Sequence, residues 1–498
     1  MTTKVVKLFK GVNWLLFVTW YTQIAGMLSF FILARYLSKD DFGVIAGCFV
    51  VQGFFAVIAN VGTNHYLIRK KEVTKEDLDI AFTINFSTRT LIAIAIFLLA
   101  NPLASFMKIP DLEMVLKVMS LSPFFIGLHN PAVSLKLKDL DYSAISYLRT
   151  ITKTISTTLT VVITIYYQTY WAVVVGEIAY QAIYAIGSYR VAAYKPKFRV
   201  VDIQNQWTFS KWILLKGVAS YSKNVCDNVI VSRNFVLSDL GMYKFSKEAS
   251  NTVVNFLIMP ITSIFYTGLS SYVEDNQQLV DKIYKFLMVI SLLYMPVVFG
   301  GVYLSETLVP FVFGEKWADT SSLFALFLVM TFARNFNQVF SDVFVLIDQV
   351  KKQFLYELVS SVIVIAIVVM VSSLPLFEFA ICRVILAYLV LLSMILYLSK
   401  MIPIRVGRVM KIMILPFILS GAMTVLIHAI DGYIIQWSDA SRLLVLIGTG
   451  FVFYLGACLF TLNLLKKRVP DYRYLYESVI LHSMSVITAK IGAKLSRR

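Results

Sequence analysis

Apolar runs long enough to cross a bilayer follow one another from residue 12 to residue 464. A spanning helix needs about 17–25 predominantly apolar residues, and lipid leaves no partner for a free backbone amide, so each run must satisfy its own hydrogen bonds as a helix. About fourteen such runs can be placed: 12–34, 44–66, 80–100, 112–134, 143–167, 170–192, 212–236, 243–270, 283–304, 321–346, 354–374, 377–399, 412–431 and 442–464. The longest interior connection, 193–211, is basic and polar, so no soluble domain fits between spans. Composition agrees. The 498 residues are 58% hydrophobic and 15% charged, against about 25% charged in soluble domains. A soluble globule, a disordered chain, collagen, a coiled coil and a disulfide scaffold are all excluded. The expected fold is an all-α polytopic membrane protein.

The net charge of +17 has two readings, cytoplasmic loops rich in Lys and Arg or an anionic substrate. No nucleic-acid-binding motif supports a third. With the N-terminus placed inside, the inner segments collect Lys4, Lys7 and Lys10, then Arg69–Lys71, Lys136, Lys138, Arg190, Lys195, Lys197, Arg199, Lys282, Lys285, Lys351, Lys352, Lys400, Arg405, Arg408 and the basic C-terminus. About 30 of the 46 basic residues then lie inside and about 7 outside. An even number of spans and two cytoplasmic termini follow. The first run follows three lysines and lacks a small-residue cleavage site, so it reads as a retained helix. Beyond Leu465 the tail has an amphipathic pattern, with Leu475, Val479, Ile480, Ile487, Ile491 and Leu495 on one face and Lys490, Lys494, Arg497 and Arg498 off it. Such a tail suits an anionic lipid surface, or is simply a solvated end.

The chain carries traces of a duplication. Trp14 and Trp212, Arg35 and Arg233, Asp41 and Asp239, and Gly43 and Gly241 are all separated by 198 residues. Six spans lie between the copies, so both run the same way through the membrane, as a parallel repeat does. Beyond the second helix of each half the correspondence fades.

Several segments are similar to a known family. They are Ile32–Gly43 at the first turn, Ala59–Asn64 followed by Leu67–Lys71, and Val309–Trp317 with Arg334 in the next helix. In order and position they resemble the polysaccharide transporter branch of the MOP superfamily, the Wzx-type flippases that export O-antigen and exopolysaccharide units. The resemblance implies two pseudo-symmetric six-helix lobes around a central cavity, at 1–199 and 200–405, two additional helices at 406–465, and a basic tail at 466–498. It implies translocation of an undecaprenyl-diphosphate-linked oligosaccharide from the inner to the outer leaflet of the bacterial cytoplasmic membrane. Membrane lipids, a glycan polymerase and a chain-length regulator are the partners it suggests, with no cofactor and with a proton or sodium gradient as a driving force.

Charges inside the spans mark where such a substrate would pass. A central Lys, Arg or Asp costs about 2.5–3.5 kcal/mol on insertion scales, so retained charges turn to a cavity or a partner. The cationic candidates are Arg89, Arg149 with Lys153 one turn on, Lys223 and Arg334. Lys and Arg supply the charge and forked hydrogen bonds that a diphosphate needs. Asp227 and Asp342 are either coupling-ion sites or charge partners, Asp227 most simply for Lys223 one turn away. Lys247 can pair with the adjacent Glu248 or anchor at the interface, Lys216 can snorkel, and Arg35 and Arg233 can anchor their turns. Glu177 and Arg383 are single charges in their spans, and His428 reads as packing. Pro123, Pro131, Pro260 and Pro296 with Gly300-Gly301 bend spans, as gating hinges or as ordinary kinks.

Other activities lack their signatures. There is no nucleotide-binding glycine loop and no HExxH. The four cysteines are far apart and form no metal-binding pair or cluster with histidine. A membrane glycan polymerase or ligase would offer a large external loop with catalytic Arg or His, whereas the longest here, near 305–321, has Lys316 as its sole basic residue. A cation-coupled drug exporter of the same fold would present an acidic cavity, and these spans lean basic. The chain is therefore expected not to be an enzyme.

Overall fold

The computed structural model describes residues 2–59, 67, 73–138, 143–199, 204–269, 272 and 275–465. Residues 60–64 and Arg69–Lys71 of the second resembling segment, and the amphipathic tail after Leu465, lie outside that set.

The described chain is built from α-helices: α1 (Thr2–Tyr36), α2 (Lys39–Ala59), α3 (Lys75–Met107), α4 (Leu112–Met119), α5 (Leu121–Gly127), α6 (Val133–Lys138), α7 (Ser143–Tyr167), α8 (Trp171–Val191), α9 (Gln204–Asn234), α10 (Leu237–Leu269), α11 (Asn276–Phe313), α12 (Ser321–Leu346), α13 (Val350–Met370), α14 (Leu376–Leu398), α15 (Val406–Ile434) and α16 (Asp439–Leu465). Over the described residues, every expected span falls on a helix except the fourth, which breaks into α4, α5 and α6. Pro123 and Pro131 each lack an amide to donate one turn back and so weaken 112–134 as a single helix, but Pro102 and Pro296 sit inside continuous helices, so the prolines alone do not set the break. Asn130 fills the gap. Its side chain donates to the carbonyls of Ser188 and Ala192 at 3.2 and 2.7 Å and accepts the Ala132 amide. Eight helices are long and apolar enough to cross a membrane on composition alone, among the described residues. On α3 and α16 large apolar side chains such as Leu98 and Phe451 are exposed, as a lipid-facing surface requires.

Local chemistry sets the helix ends. Thr74 caps α3 reciprocally with Asp77, and α3 closes at Lys108 in the left-handed region. Asp41 accepts the Ser38 amide and hydroxyl at the start of α2. After α11, Gly314 takes φ +104°, a conformation suited to glycine, and a 3-10 turn over Glu315–Thr320 leads into α12.

The chain packs as two compact units. The first is Met1–Thr252 with Val312–Leu323 and Gln349–Leu386; the second is Val253–Phe311 with Phe324–Asp348 and Ala387–Arg498. In the first, α7 and α8 meet through small residues. Thr152, Ser156, Thr160 and Thr164 of α7 are buried, as are Ala172 and Gly176 of α8. Thr160 and Thr164 return their hydroxyls to carbonyls one turn back, so the close contact leaves neither unsatisfied. In the second unit, Leu419, Met423 and Ile427 of α15 pack with Leu443 and Leu446 of α16 and Leu304 of α11.

The repeated motifs touch each other reciprocally. A Cβ on Gly43 would meet the Leu237 carbonyl oxygen at 2.5 Å, and one on Gly241 would meet the Lys39 carbonyl oxygen at 1.8 Å. Lys39 and Leu237 are themselves 198 residues apart, so the contact has the self-complementary form of a two-fold interface. Here the backbone approach requires glycine. Gly241→Ala should lower thermal stability in detergent by about 1–3 kcal/mol through overpacking. Gly26→Ala, with open space around the new methyl, should not. Because alanine is the better helix former, a loss at 241 alone isolates the clash, and equal melting of both variants would refute it.

The third resembling segment docks on the first. Trp317 stacks on Phe245 at 3.8 Å, meets Phe42 edge-on, and donates its indole N–H to the Ala34 carbonyl at 2.7 Å. Lys316 donates to the Arg35 and Leu37 carbonyls, which fills the end of α1. Burial there holds the Lys316 ammonium below the ordinary lysine pKa, with Asp41 opposing. Arg35 donates to the Val312 carbonyl, and Arg233 lies 4.5 Å over the Phe106 ring. Both arginines are thus held at their turns.

Candidate functional site

Two polar groupings lie within the first unit. The first is a stripe along α8, where Glu177, Tyr180, Gln181 and Tyr184 recur at helical spacing and share a face. Gln181 donates to Glu177 at 2.7 Å, and Tyr180 and Tyr184 stack at 6.3 Å. Three of the expected cations gather on this stripe. Half-buried Lys153 of α7 lies within electrostatic reach of Glu177. Arg149, one turn earlier, is within reach of Tyr180. Half-buried Arg89 of α3 is within reach of His129, whose ring sits 4.6 Å from Tyr184. Lys153 thus interacts with Glu177, Arg149 with Tyr180, and Arg89 with the histidine beside Tyr184. Cations with forked donors suit phosphate, while phenols and the amide suit sugar hydroxyls and faces. The sequence reading found the cations and missed the tyrosines, although their i, i+3, i+4, i+7 spacing with Glu177 in an apolar span was visible.

The second grouping is an ion network joining α9, α10, α13 and α14. Asp227 is fully buried. One of its oxygens accepts from Lys247 at 2.8 Å, from Tyr243 at 3.0 Å and from Arg383 at 3.3 Å. Lys223, one turn before it, is also buried and donates to Glu357 at 2.5 Å and to the Ser360 hydroxyl at 3.2 Å. Three cations thus meet two carboxylates, and the cluster keeps one positive charge in excess. Lys223 pairs with Glu357 in place of the expected Asp227, Lys247 is the cation that Asp227 takes, and Glu248 accepts from Lys244. The reason is packing. The side of α9 carrying Lys223 and Asp227 is pressed against other helices, so each charge meets a cross-helix partner before its own neighbour. Arg383, which the sequence left as a single charge, is such a partner. Glu357 was missed because it follows Lys351 and Lys352 closely and reads as an interfacial residue.

Arg334 and Asp342 belong to α12 within the second unit, and both are half-buried. Gln338 donates to Asp342 at 2.8 Å, and Arg334 lies within electrostatic reach of Tyr294. His428 faces the Tyr303 hydroxyl at 3.2 Å, and Tyr303 donates to Asp431, which Arg442 clasps with two bonds of 2.6 and 2.7 Å. No grouping of acidic, His and Cys side chains suited to a metal occurs among the described residues.

The comparisons with known proteins match this architecture. A family model described as "Polysaccharide biosynthesis protein" matches residues 32–322. Lipopolysaccharide biosynthesis protein WzxC of Escherichia coli (strain K12) is 21% identical over 333 residues, covering 66% of this chain and 68% of that protein. Succinoglycan biosynthesis transport protein ExoT of Rhizobium meliloti (strain 1021) is 23% identical over 291 residues, 58% of each chain. The alignment with ExoT thus spans less than two thirds of that relative's own length. Among solved structures, the lipid II flippase MurJ in an inward closed conformation superposes with a TM-score of 0.72 at 14% identity, over 90% of this chain and 98% of that one.

Proposed function

The chain belongs to the polysaccharide biosynthesis protein family, as a Wzx-type member of the MOP superfamily, and from that premise we propose that it carries an undecaprenyl-diphosphate-linked oligosaccharide from the inner to the outer leaflet of the bacterial cytoplasmic membrane. Alternating access of two lobes around a cationic cavity is the proposed mechanism, without a covalent step. Both termini lie in the cytoplasm in this reading, and a proton or sodium gradient supplies the drive. A glycan polymerase and a chain-length regulator act on the product.

The observation that carries the reading is the α8 stripe. Arg89, Arg149 and Lys153 are kept in apolar helices at a cost, and they interact electrostatically with His129, Tyr180 and Glu177 respectively, groups on or beside the α8 stripe. A diphosphate joined to sugar needs that combination. Arg334, a cation of the second unit, is a further candidate for the substrate.

The test is translocation by purified protein in liposomes, using a labelled undecaprenyl-diphosphate oligosaccharide with and without an imposed ion gradient. Arg149→Gln and Lys153→Gln should each slow transport about tenfold or more, the worth of one charge-assisted hydrogen bond, with melting temperature held. Unchanged transport in both variants would remove the stripe from the substrate path. No protein-dependent movement across several chemically different glycans would remove the flippase reading itself.

A further inference from the structure

A second basic site lies apart from the stripe, wholly within the second unit. A cleft of about 530 Å3 opens between the first turns of α11 and the start of α15. Lys282 and Lys285 of α11 and Arg405 and Arg408 at the start of α15 line it, and Asp281 is the one carboxylate among its lining residues. Asp281 is engaged within the wall. One oxygen accepts from Lys285 at 2.5 Å and the other faces Arg408 at 3.5 Å. Among the residues that line it, four cations stand with one carboxylate in a concave space, a lining that draws an anion.

The walls are held in place beneath it. Tyr284 is buried, its hydroxyl accepts the Arg405 amide at 2.7 Å, and its ring carries the Arg408 guanidinium at 4.4 Å. The tyrosine thus pins the start of α15 to α11 and presents both arginines. Lys282 rests 5.1 Å over the Tyr272 ring. A guanidinium fork beside two ammonium groups matches the oxygens of a phosphate.

What lies next to the cleft indicates what bears the phosphate. On α11 the face that presents Lys282 and Lys285 continues at helical spacing as Val289, Leu292 and Leu293, and Leu293 is 44% exposed. A charged head thus leads along α11 to an apolar strip that is half-buried at Val289 and Leu292 and exposed at Leu293, the profile of a lipid at the membrane boundary. We infer that this cleft binds the phosphate headgroup of an anionic membrane lipid, with an acyl chain along the Val289–Leu293 strip of α11. The site is separate from the stripe on α8 and does not depend on the transport reading. An anionic lipid seated there would hold α11 and α15 together.

The experiment is a thermal-shift titration of the full chain in dodecylmaltoside, with dioleoylphosphatidylglycerol, dioleoylphosphatidylcholine and sodium pyrophosphate as probes. Phosphatidylglycerol should raise the melting temperature saturably, and the other two should not at equal concentration. Lys282→Gln/Arg405→Gln should weaken the phosphatidylglycerol effect about tenfold, because it removes two cations while leaving the backbone bond from Arg405 to Tyr284. Lys195→Gln/Lys197→Gln, which removes the same charge from an exposed segment elsewhere, should not. If the cleft variant melts low without lipid, Arg405→Gln alone serves, with a smaller loss. Equal protection by phosphatidylcholine would make the site merely apolar. Equal protection by pyrophosphate would make it a site for a soluble anion. Equal loss in the two charge-matched variants would reduce it to general surface charge. Any of these results overturns the inference.

Discussion

Asp227→Asn should destabilise the protein by about 3–5 kcal/mol, the cost of removing one partner from a buried ion cluster. Asp227 has no solvent access, and a single carboxylate oxygen accepts from Lys247, Tyr243 and Arg383. The asparagine oxygen still accepts hydrogen bonds but cancels neither charge. Lys247 and Arg383 would then face each other without compensation, and α9, α10 and α14 would lose the group that joins them. Asp227→Asn/Lys247→Met removes one of the two cations left facing each other and returns the cluster to the parent's net charge, so it should recover part of the loss, the remainder belonging to Arg383, which stays without its carboxylate. Melting of the two variants in detergent, with the Lys247→Met single completing the cycle, measures the coupling. If Asp227 is instead the site of a coupled cation, Asp227→Asn keeps its stability and loses the gradient dependence of transport. The two roles are therefore separable by one pair of measurements.

Lys223→Met alone and Glu357→Gln alone should each cost about 3–5 kcal/mol, because each leaves a buried charge unpaired. The double variant Lys223→Met/Glu357→Gln should lie close to the parent, since a buried pair exchanged for neutral groups of similar size is often without net cost. A coupling energy below about 0.5 kcal/mol, the scatter expected for independent sites, would show that the 2.5 Å pair contributes nothing specific. Transport in the double variant separates two roles for Lys223. Restored stability with restored transport assigns Lys223 to holding α9 against α13. Restored stability without transport assigns it to the substrate as well.

The membrane class, the helical runs and the duplication were legible in the residues themselves. Length and apolarity decide whether a segment can enter lipid, and lipid then enforces the helix, so neither depends on distant residues. The one broken span shows the limit of that argument. Pro123 and Pro131 were visible, but that the chain would stop at Met119 and restart, with Asn130 stapled to Ser188 and Ala192, needed a second helix to receive the amide. The cations of the α8 stripe were found individually because charge in an apolar run is conspicuous. Tyr180 and Tyr184 were passed over because tyrosine in a membrane helix is ordinary until something polar faces it.

By itself the sequence determined an all-helical membrane chain with paired motifs 198 residues apart and a surplus of cations inside its spans. These are local or periodic properties, set by solvent preference and spacing. Which residues meet is a property of the packed helices: Gly43 against Leu237 and Gly241 against Lys39, Asp227 with Lys247 and Arg383, Lys223 with Glu357. The physical reason is that a buried charge takes the partner whose geometry returns the most of its lost hydration. In a bundle that partner sits on another helix, at a sequence separation that no local rule contains.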